Sequence, residues 1–139
     1  MTEMKRLGRL IEKVEFAMLI TEDADGRLHS RPMATAELDG RGQLWFLSTE
    51  DSPKVREIAD RPRVNVSYSS PNEECYVSIS GNAEIIRDPV RARELWSPMD
   101  EEWFPHGPDD SKLVLIRVKI DSAAYWDSLS ATMTRIIAA

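Results

Sequence analysis

Most of this chain alternates apolar and polar residues with a period of two, and short stretches of helical spacing interrupt it. Residues 2–14 come first, with Met4, Leu7, Leu10, Ile11 and Val14 at three-four spacing and Lys5, Arg6, Arg9, Glu12 and Lys13 off that stripe. This predicts an amphipathic helix. Phe16, Met18 and Ile20 then alternate with Ala17, Leu19 and Thr21, which predicts a strand. Asp23-Ala24-Asp25-Gly26 is a turn signal. Residues 27–38 read as a second strand, with Leu28, Ala34, Ala36 and Leu38 on one face. His29, Arg31, Met33, Thr35 and Glu37 share the other face. Pro32 has no N–H, so this strand belongs at an edge or at a bulge.

Asp39-Gly40-Arg41-Gly42 predicts a hairpin turn into strand 43–48. Leu44, Trp45, Phe46 and Leu47 are apolar on both faces, as in a strand covered from both sides. Ser52 and Pro53 suit the N-cap and first position of a helix over 53–60. Strands follow at 63–69 and 75–87, separated by Pro71-Asn72-Glu73, with Gly81 marking a bulge or sharp bend in the second. Asp88-Pro89 repeats the cap-plus-proline device before a helix over 89–97. Residues 97–112 read as loop with a helical turn near 101–104. A strand covers 113–120 and continues in extended form through 123–127, and a short terminal strand is expected within 132–138. About six strands joined by tight turns, with three short helices, predict a small antiparallel barrel.

Composition narrows the function classes. A chain of 139 residues is expected to form one domain with its own core. Cys75 is its only cysteine, so there is no disulfide framework, and His29 and His106 make no zinc-like cluster. The net charge of −6 and the lack of a basic stripe argue against nucleic-acid and anionic-membrane binding. Residues 1–14 lack the apolar run of a signal peptide, and no segment has the length of a membrane span. A cytoplasmic protein is the expectation.

The candidate chemistry lies at Leu44–Ile58. An apolar strand runs into Ser48 and Thr49, then into a helix start with Ser52 and Lys54. Free N–H groups, hydroxyls and a lysine at a helix start suit an anion, and Arg31 on the neighbouring strand could add a bidentate phosphate contact. The plain alternative is a well-made helix start with a solvated lysine, and Arg31 in a salt bridge with Glu37 or another acid. Tyr76, Ser78 and Ser80 could reach the edge of a heterocycle or face solvent. Trp126 could cover a ring or pack at an interface. Trp96 and Trp103 flank a loop that could close as a lid or simply pack down. No nucleophile, Ser/His/Asp set or carboxylate pair stands out, so any reaction would rest on a bound cofactor such as a flavin.

Several segments together resemble one family. They are Ser30-Arg31-Pro32-Met33, Leu44–Leu47 with Ser52-Pro53-Lys54-Val55, Tyr76–Ala83, Trp103-Phe104-Pro105 with Gly107, and Tyr125-Trp126-Asp127. Their order and spacing resemble the FMN-binding split-barrel superfamily that includes the pyridoxamine 5′-phosphate oxidases, and more closely its general stress protein branch. The resemblance implies a mainly β, six-stranded antiparallel split β-barrel with short flanking α-helices, spanning 1–139 as one domain. It implies a homodimer with FMN at the interface and flavin-dependent oxidoreductase activity. Arg31 and Lys54 would hold the FMN phosphate, with Ser48 and Ser52 donating to it. Met33, Leu47, Tyr76 and Trp126 complete the implied cofactor-binding set, Tyr76 standing where the oxidases have a glutamine near the ring. No catalytic residue and no metal ligand is implied. Ala36 falls where the oxidases carry a cofactor-binding lysine, and the chain ends before their C-terminal arginine and histidine. Oxidation of pyridoxamine phosphate is therefore not expected. Related barrels take deazaflavin F420 or haem. FAD or F420 is the alternative cofactor, and a flavin store, carrier or stress sensor, or an F420-dependent reductase, is the alternative function.

Overall fold

The computed structural model describes residues 2–127 and 130–136, with side chains through residue 126. Helix α1 (Glu3–Ile11) is capped by Thr2, whose hydroxyl accepts from the Lys5 N–H. The strands are β1 (Phe16–Glu22), β2 (Leu28–Ala34), β3 (Glu37–Leu38), β4 (Gln43–Thr49), β5 (Arg63–Ser70), β6 (Cys75–Ile86), β7 (Leu113–Asp127) and β8 (Ser130–Ile136). Helices α2 (Pro53–Asp60), α3 (Pro89–Leu95) and α4 (Asp100–Trp103) lie between them. All strand pairs are antiparallel, in the order β2-β1-β5-β6-β7-β4-β3, with β8 also on β7. The mainly β, antiparallel class expected from the sequence is what forms, as a curled half-barrel.

The strand count differs from the expected six. The predicted strand 27–38 breaks at Thr35 and Ala36 into β2 and β3, and the expected terminal strand forms as β8, starting at Ser130. Residues 137 and 138 of the expected terminal strand lie outside the described residues. The inner face of β2 also differs. Leu28 is 72% exposed while Met33 is buried, so the face carrying Arg31 and Met33 is the inner one. The pairing register explains this: Arg31 lies opposite Leu19 and Met33 opposite Ala17, both buried residues of β1. Pro32 sits on an edge strand, as its missing N–H requires.

Strand β4 is covered on both sides, as its unbroken apolar run predicts. Leu44 and Phe46 join the main core with Leu19, Val66, Ile79 and Ile116, and α1 closes that core with Leu7 and Ile11. Each such fully buried side chain contributes about 1.5–3 kcal/mol. Trp45 and Leu47 face a second cluster with Leu115 and Ala92, which α3 covers. The Trp45 indole donates to Asp39 Oδ2 at 2.9 Å, with the guanidinium carbons of Arg91 and Arg117 at 4.9 and 5.8 Å from its ring. Arg91 in turn pairs with Glu37 and Glu94.

Gly81 bends the sheet as expected. The β6–β7 register shifts between Ser80 and Gly81, and a Cβ on Gly81 would lie 2.1 Å from the Lys119 carbonyl oxygen. That neighbour is backbone and cannot rotate away. Gly81→Ala is expected to lower stability by about 1–3 kcal/mol, the usual cost of overpacking a tight site. A urea midpoint equal to that of the wild type would refute the constraint.

Candidate functional site

The site starts at the end of β4, where the sheet delivers Ser48 into the interior. Ser48 is 2% exposed, and its hydroxyl lies 3.2 Å from that of Ser52. Ser52 occupies the N-cap position of α2 in extended backbone geometry, yet its side chain caps no helix N–H. The hydroxyl turns toward Ser48 instead. Pro53 follows at the first helical position, and Lys54 emerges from the first turn.

Lys54 is partly buried, and among the described residues it forms no ion pair. Burial lowers its pKa below the ordinary lysine value, and the positive charge of Arg31 lowers it further. Two cations held together with one of them uncompensated is the electrostatic form of an anion site.

Arg31 is fixed from three sides. Its Nη1 donates to the Leu19 carbonyl at 3.2 Å and to Thr21 Oγ1 at 2.6 Å. Its Nη2 donates to Glu57 Oε1 at 3.2 Å, and Thr21 Oγ1 donates to the same oxygen at 3.0 Å. Glu57 lies three residues after Lys54 on α2, so both project from one side of the helix. The acid that meets Arg31 is thus Glu57; Glu37, the acid considered from sequence, pairs with Arg91.

Ser48 and Lys54 border a cavity of about 460 Å³. Ser48, Thr49 and Lys54 form its polar end, and Leu47 and Met33 line it as well. The bend between β2 and β3 supplies a wall through Pro32 to Ala36. Backbone bonds hold that bend, with the Ala36 N–H donating to the Trp45 carbonyl at 2.8 Å. The Thr35 and Tyr68 hydroxyls lie 2.6 Å apart, and burial pushes the Tyr68 phenol up to about 12. Leu95, Met99, Trp103 and Phe104 supply apolar surface on the far side, beside the polar Ser97 and Asp100, with Phe16 meeting Trp103 edge-on at 6.0 Å. Asp100 Oδ2 accepts from the Ser97 N–H at 2.8 Å and its hydroxyl at 3.2 Å, which fixes α4 over the cavity.

Of the residues singled out from sequence, Met33, Leu47, Ser48 and Lys54 line this cavity, and Arg31 and Ser52 adjoin it through Lys54 and Ser48. Tyr76 and Trp126 do not line it. They pair across β6 and β7, 43% and 39% exposed. Ser78 and Ser80 accept from the Asn65 amide at 3.0 and 3.3 Å. Trp103 lines the cavity while Trp96 packs on Phe104 beside the second cluster, so the two tryptophans flanking the loop have different roles. Sequence reasoning missed Thr21, Glu57 and Asp100, while Thr49, singled out beside Ser48, does line the cavity. A signal existed for two of them: Thr21 falls on the buried face of β1, and Glu57 has helical spacing from Lys54. Among the described residues, no group of three His, Cys, Asp or Glu could hold a metal ion.

Hydroxyls and Lys54 at a helix start, with Arg31 adjoining, suit a phosphate, and the apolar side chains of the lining suit a planar ring. Comparison with known proteins identifies the chain's relatives. The family described as Pyridoxamine 5'-phosphate oxidase like matches residues 2–139. Protein bli-3 of Neurospora crassa is 31% identical over 129 residues, 86% of this chain, and the chain spans 62% of that protein's length. General Stress Protein 26 from Bacillus anthracis superposes with a TM-score of 0.81 at 24% identity, over 97% of this chain and 99% of its own, a likeness of fold. The general stress FMN/FAD binding protein of Xanthomonas citri superposes with a TM-score of 0.75 at 27% identity, over 94% of this chain and 92% of its own.

The lowered Lys54 pKa has a sign that can be checked. A lysine depressed in the folded state costs stability while it is charged, and the cost is relieved as pH rises through the folded pKa toward the unfolded one. Lys54→Met is expected to be more stable than the wild type at pH 7 without ligand, with the gap closing as pH approaches 10. Urea midpoints at both pH values measure it. A less stable variant at pH 7 would contradict the uncompensated charge.

Proposed function

Because this chain belongs to the pyridoxamine 5′-phosphate oxidase like family, we propose that it binds FMN in the cavity beside α2 and acts as a flavin-dependent oxidoreductase. One observation carries this reading: Lys54, partly buried and without an ion partner among the described residues, stands beside Arg31 where α2 begins. The FMN/FAD binding described for the Xanthomonas citri protein supports the same cofactor, with FAD or F420 as the alternative. Lys54 and Arg31 bind the phosphate, and the Ser48 and Ser52 hydroxyls donate to it. Met33 and Leu47 line the cavity along the ring, and Trp103 with Phe16 excludes water from it. When bound, the flavin supplies the two-electron redox chemistry, and the protein supplies binding and electrostatics.

The reading includes a homodimer in a cytoplasmic setting. No helix among the described residues is long and apolar enough to cross a membrane. Met18, Tyr76 and Trp126 are large, exposed hydrophobic side chains of the sheet strands. A second copy docking there would bring Tyr76 and Trp126 to the cofactor of its partner, as neither reaches the cavity of its own chain. A second reading is flavin storage or sensing without turnover. The described cavity lining has no histidine or cysteine, and its one carboxylate, Asp100, is engaged by Ser97.

Fluorescence titration of cofactor-stripped protein with FMN, riboflavin and F420 tests the cofactor. Stoichiometric FMN binding is expected, weakened about 10–100-fold by Lys54→Ala, since a hydrogen bond to a charged group contributes about 1.5–3 kcal/mol. Equal FMN affinity in that variant would remove the phosphate assignment, and binding of F420 alone would replace the cofactor. Trp126→Glu is expected to turn the dimer into a monomer by light scattering; an unchanged mass would move the interface elsewhere. Rapid reoxidation of reduced, bound flavin by an added acceptor separates an oxidoreductase from a store.

A further inference from the structure

Resting on the phosphate site proposed above, we infer that Glu57 is its positioning residue: with Thr21 it clamps the Arg31 guanidinium, and so sets the preference for phosphorylated over unphosphorylated ligands. A site built on attraction alone would have no use for a carboxylate beside its arginine, since Glu57 cancels one of the two positive charges. The arrangement makes sense as a geometric device. Glu57 and Thr21 form a closed triangle with Arg31, in which Glu57 Oε1 accepts from both Arg31 Nη2 and Thr21 Oγ1. The Leu19 carbonyl and Thr21 Oγ1 take the two N–H groups of Nη1.

Three of the five guanidinium donors are therefore engaged. The Nε–H and the second Nη2–H have no acceptor among the described residues, and two is the number that a bidentate phosphate contact requires. The clamp is largely screened from solvent: Thr21 is 1% exposed, and the side chains of Arg31 and Glu57 are 22% and 15% exposed. Arginine is a long, rotamer-rich side chain, and fixing it before the ligand arrives removes an ordering cost from binding. Lys54 and Glu57 share α2, so the helix that carries the ammonium also holds the clamp on the guanidinium.

The test compares FMN with riboflavin, which has the same ring and no phosphate, by flavin fluorescence in cofactor-stripped protein. The wild type is expected to prefer FMN at least tenfold. Glu57→Gln keeps the Oε1 acceptor for both partners and removes the charge, so its preference is expected to hold or rise. Glu57→Ala releases the guanidinium and is expected to lower the preference at least tenfold, despite the extra net positive charge. Thr21→Val, which keeps the shape and loses the hydroxyl, is expected to lower it in the same direction with the fold intact by circular dichroism. If both Glu57 variants raise the preference, Glu57 acts only as a charge and the inference fails. If thermal stability falls in Glu57→Ala and Thr21→Val with the preference unmoved, the triangle only tethers α2 to the sheet and the inference fails. A wild type with no preference for FMN overturns the phosphate site itself and the inference with it.

Discussion

The fold depends on the close backbone approach of β6 and β7 at Gly81. β7 is 15 residues long, and one strand of that length cannot serve two surfaces without a bend. Its first half pairs with β4 and its second half with β8, while β6 runs along both. The register shift between Ser80 and Gly81 divides those halves, and a residue without a side chain lets the Lys119 carbonyl come close enough for the ladder to continue. With the sheet curled there, one face closes around Phe46, Ile79 and Ile116, and the opposite face of β4 is left for α3 to cover.

The site is a product of that curl. β4 is buried on both sides, so its last residues reach the interior still polar, and Ser48 arrives beside the start of α2. β1 and β2 bring Arg31 to the same place because their register sets it opposite Leu19. The chain thus assembles its cations from an edge strand and a helix start distant in sequence. The carboxylate between them arrives on the helix that carries the lysine. At the proposed phosphate site stability and binding pull in opposite directions, as a charge placed to attract an anion is a cost in its absence.

Much of this was legible in the sequence, for reasons that particular residues make plain. The alternation in β5 and β6 and the double-sided run of β4 follow from period-two burial, and Gly81 announced its bend. Lys54, Ser48, Met33 and Leu47 were legible because a local strand-turn-helix segment and a short motif carry them. The inner face of β2 was not legible, because Arg31 counts as polar while its stem and fork lie inward among Thr21 and Glu57. Leu28 misled in the opposite sense: it sits opposite Glu22 at the end of a hairpin, where no described element covers it. Glu57 and Thr21 acquire their role only when α2 packs on β1, a contact between residues 36 apart along the chain. Tyr76 and Trp126 were assigned to the site by resemblance, and within one chain the sheet holds them on another surface.

Pro32 has a consequence beyond the site. An exposed strand edge is a row of unmet donors and acceptors on which foreign strands can grow. Here the main path of the sheet ends at β2 on one side and β3 on the other. The first carries a proline, which cannot donate at that position, and the second is two residues long. Neither end templates a continuous ladder with a neighbouring molecule. At these two ends, though not at the outer edge of β8, the sheet is therefore poorly suited to extension by a foreign strand.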